Sequence, residues 1–173
     1  MHEDTRITAS AERVAAATAR MRETLEQLSD EAAARTPAEG GWSPAEIVTH
    51  VGLTNERFFL PVFDGEASSV SPAPPGFTET FSFASIPDRI KTFPHLEPPA
   101  GATRAGALHK LAETGERLVR AMRELPADRL THCATLPFGT LSMQQMAEFA
   151  AGHLARHQAQ LERLLVPGRS RSA

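Results

Sequence analysis

The chain has no tyrosine and only one tryptophan, and aromatic residues make up just 6% of it. A sandwich of strands fills its core largely with aromatic and β-branched side chains, so this shortage favours helices built from the abundant alanine, leucine and arginine. A single cysteine, Cys133, rules out an internal disulfide and agrees with a reducing compartment. Neither sign of charge dominates. A net charge of −3 gives no electrostatic footprint for nucleic acid, and the basic tail Arg169-Ser170-Arg171 is too short to supply one. No apolar run approaches the length needed to cross a bilayer, and Met1-His2-Glu3-Asp4-Thr5 lacks the charged start and apolar core of a signal peptide. The expectation is a cytoplasmic protein with neither a nucleic-acid nor a membrane partner.

The 173 residues, 41% hydrophobic and 23% charged, have the balance of one soluble globular domain. That domain is expected over residues 1–168, with 169–173 a disordered tail. The first helix is expected from Thr8 or Ser10 to about Ser29, because Val14, Ala17, Met21, Leu25 and Leu28 recur at steps of three and four. A short helical piece over Asp30 to Arg35 follows, before the breaker Thr36-Pro37-Ala38-Glu39-Gly40-Gly41.

Helix two carries the clearest start signal. Ser43 is placed as N-cap, Pro44 at the first helical position and Glu46 three after the cap, a capping box, with Trp42 set to staple onto Ile47. Ile47, His50, Val51, Thr54 and Phe58 then share one side, and Pro61 is expected to end the helix. Residues 64–101 hold seven prolines together with Phe77, Phe81, Phe83 and Phe93. This predicts an ordered excursion over one mouth of the bundle, with one extended piece at Phe77 to Phe83. Helix three is expected from Thr103 to Leu125, stopped by Pro126. Helix four is expected from Ser142 to just before Pro167, after a turn at Leu136-Pro137-Phe138-Gly139. The fold class expected is all-α: a four-helix bundle with a proline-rich excursion between helices two and three.

The chemistry lies in Gly152-His153-Leu154-Ala155-Arg156-His157-Gln158-Ala159-Gln160-Leu161. Two histidines four residues apart on a helix stack on one face, with backbones roughly 6 Å apart, close enough for both rings to reach one ion. Spacing alone is weak evidence, but both histidines fall on the core-facing stripe of helix four, as His50 does on helix two. Three buried imidazoles are hard to satisfy except around an ion or with several waters, since an unpartnered one costs on the order of 1–3 kcal/mol. His50, His153 and His157 are therefore the candidate metal ligands.

Three imidazoles suit Zn²⁺, Ni²⁺, Fe²⁺ or Cu²⁺ and offer too few oxygens for Ca²⁺ or Mg²⁺, and the residues alone do not choose among the first four. Three protein ligands leave a position open, and because they are neutral that position favours an anion. The zinc-protease signature H-E-x-x-H is excluded, because Leu154 stands where its glutamate would be. His95 reads first as a loop histidine in solvent and second as an acid or substrate contact at the mouth of the bundle; His109 and His132 read as surface or packing residues, and Cys133 beside His132 lacks an orienting base. Gln160, one turn past His157, is placed to bond a ligand or to pack.

Gly41-Trp42-Ser43-Pro44-Ala45-Glu46-Ile47-Val48-Thr49-His50 resembles the W-S-x-x-E-I-x-x-H stretch of the DinB-like superfamily. Phe138-Gly139-Thr140-Leu141 followed by His153-x-x-x-His157-x-x-Gln160-Leu161 resembles its closing motif. The resemblance covers most of the chain except the excursion. It implies a four-helix bundle with an unusual connection order, often dimeric, with a divalent metal on a triad corresponding to His50, His153 and His157. It further implies a transferase that joins a low-molecular-weight thiol, such as bacillithiol or mycothiol, to an electrophile, or a related thiol-dependent isomerase. The residues alone leave two alternatives open: a non-catalytic module that binds a metal and a small anion, and a structural dimer riveted by its metal.

Overall fold

A computed structural model of the protein describes residues 5–82 and 92–165. Helix α1 spans Thr5–Glu26 and buries Ile7, Ala11, Val14, Ala17, Met21 and Leu25 along one stripe. It begins a turn earlier than expected, because Ile7 and Ser10 also belong to the buried face. It stops short of Ser29 because that residue caps the next helix, α2 (Asp30–Ala34), accepting the Ala32 N–H at 3.1 Å.

Helix α3 (Pro44–Thr54) starts on the expected capping box. The Ser43 hydroxyl accepts the Glu46 N–H at 3.3 Å, and the Glu46 carboxylate accepts the Ser43 N–H at 2.9 Å. Trp42 packs its indole against the His50 ring, 4.7 Å between centroids. Pro61 does not end this helix. The chain widens into a π-helical stretch, Asn55–Phe59, and resumes as α4, Leu60–Asp64. Proline breaks a helix interior through its missing N–H and its clash with an earlier carbonyl, but Pro61 falls in the first turn after the register has been reset, where both demands relax. The stop is Gly65, whose φ of 79° is left-handed and whose N–H returns to the Pro61 carbonyl.

Helix α5 (Arg104–Arg123) is capped by Thr103, which accepts the Gly106 N–H at 3.1 Å. Helix α6 (Met143–Leu165) starts on a second reciprocal cap: the Ser142 hydroxyl accepts the Gln145 N–H at 3.1 Å, and the Gln145 side-chain oxygen accepts the Ser142 N–H at 3.2 Å. The protein is thus mostly helical, but two expectations need correction. Short helices supplement the four long segments, and a small antiparallel sheet is present. Its strands β1 (Val70–Pro72), β2 (His132–Leu136) and β3 (Gly139–Ser142) lie in the order β1-β2-β3, with Val70 opposite Ala134 and Cys133 opposite Ser142. The extended piece of the excursion is therefore at Val70–Pro72 and not at Phe77 to Phe83; residues 77–82 form no regular element, and Phe83 lies outside the described residues. The turn at Leu136-Pro137-Phe138-Gly139 closes the β2–β3 hairpin. The tail 169–173 also lies outside the described residues.

Helix α1 packs between α5 and α6, and α3 closes the ring by packing against the same two. Consecutive long helices α1 and α3, like α5 and α6, are therefore diagonal, while α3 and α6 become neighbours. A 3₁₀ turn in the excursion, Pro94–Leu96, sits against α3. Among the described residues, no helix is long and apolar enough to cross a membrane.

Candidate metal centre

Because α3 and α6 are neighbours, the face of α3 that carries His50 meets the face of α6 that carries His153 and His157. The three rings lie with centroids 4.6–5.3 Å apart, and one nitrogen from each can be chosen so that all three lie within 4.8 Å of one another. No carboxylate or thiol joins this cluster among the described residues.

Hydrogen bonds fix two of the rings. His50 is 4% exposed and lies 2.8 Å through Nδ1 from the Leu96 carbonyl, which can only accept, so Nδ1 carries the proton and Nε2 keeps its lone pair. His157 Nδ1 lies 2.8 Å from the Gln160 side-chain oxygen, which fixes the same tautomer. Contacts of this kind orient imidazoles in metal sites generally: a carbonyl oxygen holds one nitrogen so that the other faces inward.

The third ring supplies the test of fit. His153 Nε2 is 3.3 Å from His50 Nε2, while its buried Nδ1 has no hydrogen-bond partner among the described residues. With the proton on Nε2, the ring donates to His50 and leaves an orphaned acceptor on Nδ1. With the proton on Nδ1, two lone pairs confront each other. A cation between them removes that conflict, and two nitrogens each about 2.05 Å from a tetrahedral ion lie about 3.3 Å apart. The residues present therefore suit a divalent transition ion.

Electrostatics point the same way. Burial lowers the pKa of His50, against an opposing push from the Leu96 carbonyl. Burial, then the neighbouring His157 and His50, lower His153 well below the ordinary value. Burial, then His50, lowers His157 to about 4. All three rings are neutral at pH 7, the form in which imidazole binds metal.

The remaining candidates lie elsewhere. His95 is exposed, its ring stacked on Phe93 with centroids 5.9 Å apart. His109 is exposed, and His132 Nδ1 bonds the Asp128 carbonyl at 3.1 Å. Cys133 is buried in β2, and burial together with the nearby Glu79 carboxylate raises its pKa, so the thiol stays protonated and inert. It borders a pocket of about 340 Å³, shared with Phe77, Glu79 and Ser142, which does not include the histidines. Glu46 does more than cap α3, since its second oxygen accepts the Gly101 N–H at 3.2 Å and ties the end of the excursion to the helix.

Four residues carry little or no signal in the sequence. The Leu96 carbonyl gave no side-chain signal. Arg57, on the π-helical stretch, donates to the His95 carbonyl at 2.6 Å. Asn55 is fully buried with both polar side-chain atoms unpaired among the described residues, and a polar residue on the inner side of helix two is the one clue in the sequence. Phe59 backs the site, its ring 5.7 Å from His153.

A family model described as the DinB superfamily matches residues 13–161. Comparison with curated proteins finds no match, and neither does comparison with solved structures.

Proposed function

The chain belongs to the DinB superfamily, and on that membership together with the converging imidazoles we propose a divalent-metal-dependent transferase that activates a low-molecular-weight thiol. The observation that carries the reading is the set of three imidazole nitrogens within 4.8 Å, contributed by two helices. His50, His153 and His157 would hold the ion, zinc or nickel ranking first and iron next. Once bound, the ion would supply uncompensated positive charge that favours the deprotonated form of a thiol.

The chain's own residues prepare for this. Leu96 and Gln160 retain the Nδ1 protons of His50 and His157, which leaves the facing nitrogens free to bind. Trp42 lies against one side of the His50 ring, and Phe59 against His153, so apolar surface limits the access of water to the cluster. The reading extends to a homodimer in the cytoplasm, as the family resemblance and the single cysteine suggest.

The test is a mass-spectrometric screen of metal-loaded protein with several low-molecular-weight thiols and a reactive electrophile. Thiol adducts formed faster than in buffer, and lost in His153→Ala while the fold survives, are expected. No adduct with any thiol would sink the transferase. A second reading, a module that captures a small anion on the metal without turnover, is favoured by the lack, among the described residues, of a carboxylate in the cluster to serve as general base. In that case anion binding persists in the absence of adducts.

A further inference from the structure

The three imidazoles are not held by the same means. His157 is oriented from within its own helix, by Gln160 three residues on. His50 is oriented from outside the bundle, by a carbonyl 46 residues away in the 3₁₀ turn Pro94–Leu96. The bond can hold the ring only if that turn is itself held against α3.

Two contacts dock the turn beyond the His50 bond. The Leu96 side chain is 5% exposed. The Arg57 guanidinium donates to the carbonyl of His95, the residue immediately before Leu96, at 2.6 Å. His50 and Arg57 are seven residues apart on one continuous helical path, so the same path donates to two successive carbonyls of the turn. The π-helical register between them governs where Arg57 emerges relative to His50.

We propose that Arg57 is a positioning residue for the candidate metal centre: by gripping the His95 carbonyl it fixes the Leu96 carbonyl, which holds His50 in the tautomer whose Nε2 faces the other two histidines. The inference rests on the metal reading above for its functional meaning, but the grip on the His50 ring can be measured without metal. The guanidinium is not required as such. A lysine ammonium can donate to the same carbonyl, so Arg57→Lys should retain most of the effect, whereas Arg57→Ala should lose it.

The experiment compares the full-length protein with Arg57→Ala and Arg57→Lys, after thermal melts show that all three fold. Nitrogen-15 spectra of the imidazoles, recorded without metal at pH 8, report the tautomer of His50. Competition with a chromogenic chelator reports zinc affinity. Wild-type and Arg57→Lys protein should show His50 protonated on Nδ1, and Arg57→Ala a mixture of tautomers. Zinc affinity should fall about fivefold in Arg57→Ala, less than the 10–100-fold typical of a direct outer contact, because Arg57 acts through the turn. An unchanged His50 tautomer in Arg57→Ala, or zinc affinity within twofold of wild type, overturns the proposal. If the wild-type protein binds no zinc, it is the metal reading that fails, and the nitrogen spectra alone decide the role of Arg57.

Discussion

Three imidazoles packed side by side resist protonation, and this sets the pH dependence of the fold. The pKa of His157 falls from 6.5 to about 4, and those of His50 and His153 are lowered as well. Between those two pH values the unfolded chain binds more protons than the folded one, so stability rises with pH through the window and is lost as pH falls from 6.5 toward 4. His157 alone contributes a loss of about 3 kcal/mol once both states are protonated. Urea unfolding of metal-free protein across this range should show the midpoint dropping, and His157→Gln should flatten the profile. A wild-type midpoint that is flat between pH 7 and 4 would contradict the burial of neutral rings. At this scale the sequence was informative where side chains carry the signal. His153 and His157 declared themselves by spacing, and His50 by its phase after a capped start. The Leu96 carbonyl could not be seen, because any residue supplies one and only the tertiary path of the excursion brings it to His50.

At the scale of elements, caps were legible and interruptions were not. Ser43, Glu46, Thr103 and Ser142 act as N-terminal caps because their side chains satisfy free N–H groups locally, within three residues. Pro61 misled because its effect depends on register, which the π-helical stretch resets just before it. The true stop, Gly65, combines a left-handed backbone with a close approach by the Arg129 side chain. Gly65→Ala should therefore destabilise the protein by about 1 kcal/mol, chiefly through backbone strain since the tip of the Arg129 side chain can shift aside, as read from the denaturation midpoint. A neutral outcome would mean that α4 does not need this stop. The sheet was missed because its strands of three to five residues are too short to display alternation, and the aromatic shortage that argued against strands applies to a sandwich, not to a hairpin joined by one edge strand.

At the scale of the molecule, the order of helices around the ring makes the site. Were α3 and α6 diagonal, His50 could not approach residues more than a hundred positions away in the chain; as neighbours, the two helices bring His50 and His153 to 3.3 Å. Helical periodicity predicted which faces are buried but carried no information about which helix adjoins which. The excursion had the same limitation: its proline content showed that it is not a helix, yet not that Leu96 and Gly101 anchor it on α3 and its cap. The helices thus bring the three imidazoles together, while the excursion orients one of them.

The most direct test of that account is the metal content of untagged protein, offered zinc and nickel at pH 7.5, dialysed, and measured by plasma mass spectrometry beside a folded His50→Ala variant. About one ion per chain is expected in the wild type and a loss of affinity of roughly 100-fold in the variant, since removing a metal-binding ring should cost at least as much as removing an outer contact. Wild-type protein that retains no ion, or a variant that retains as much as the wild type, would contradict it.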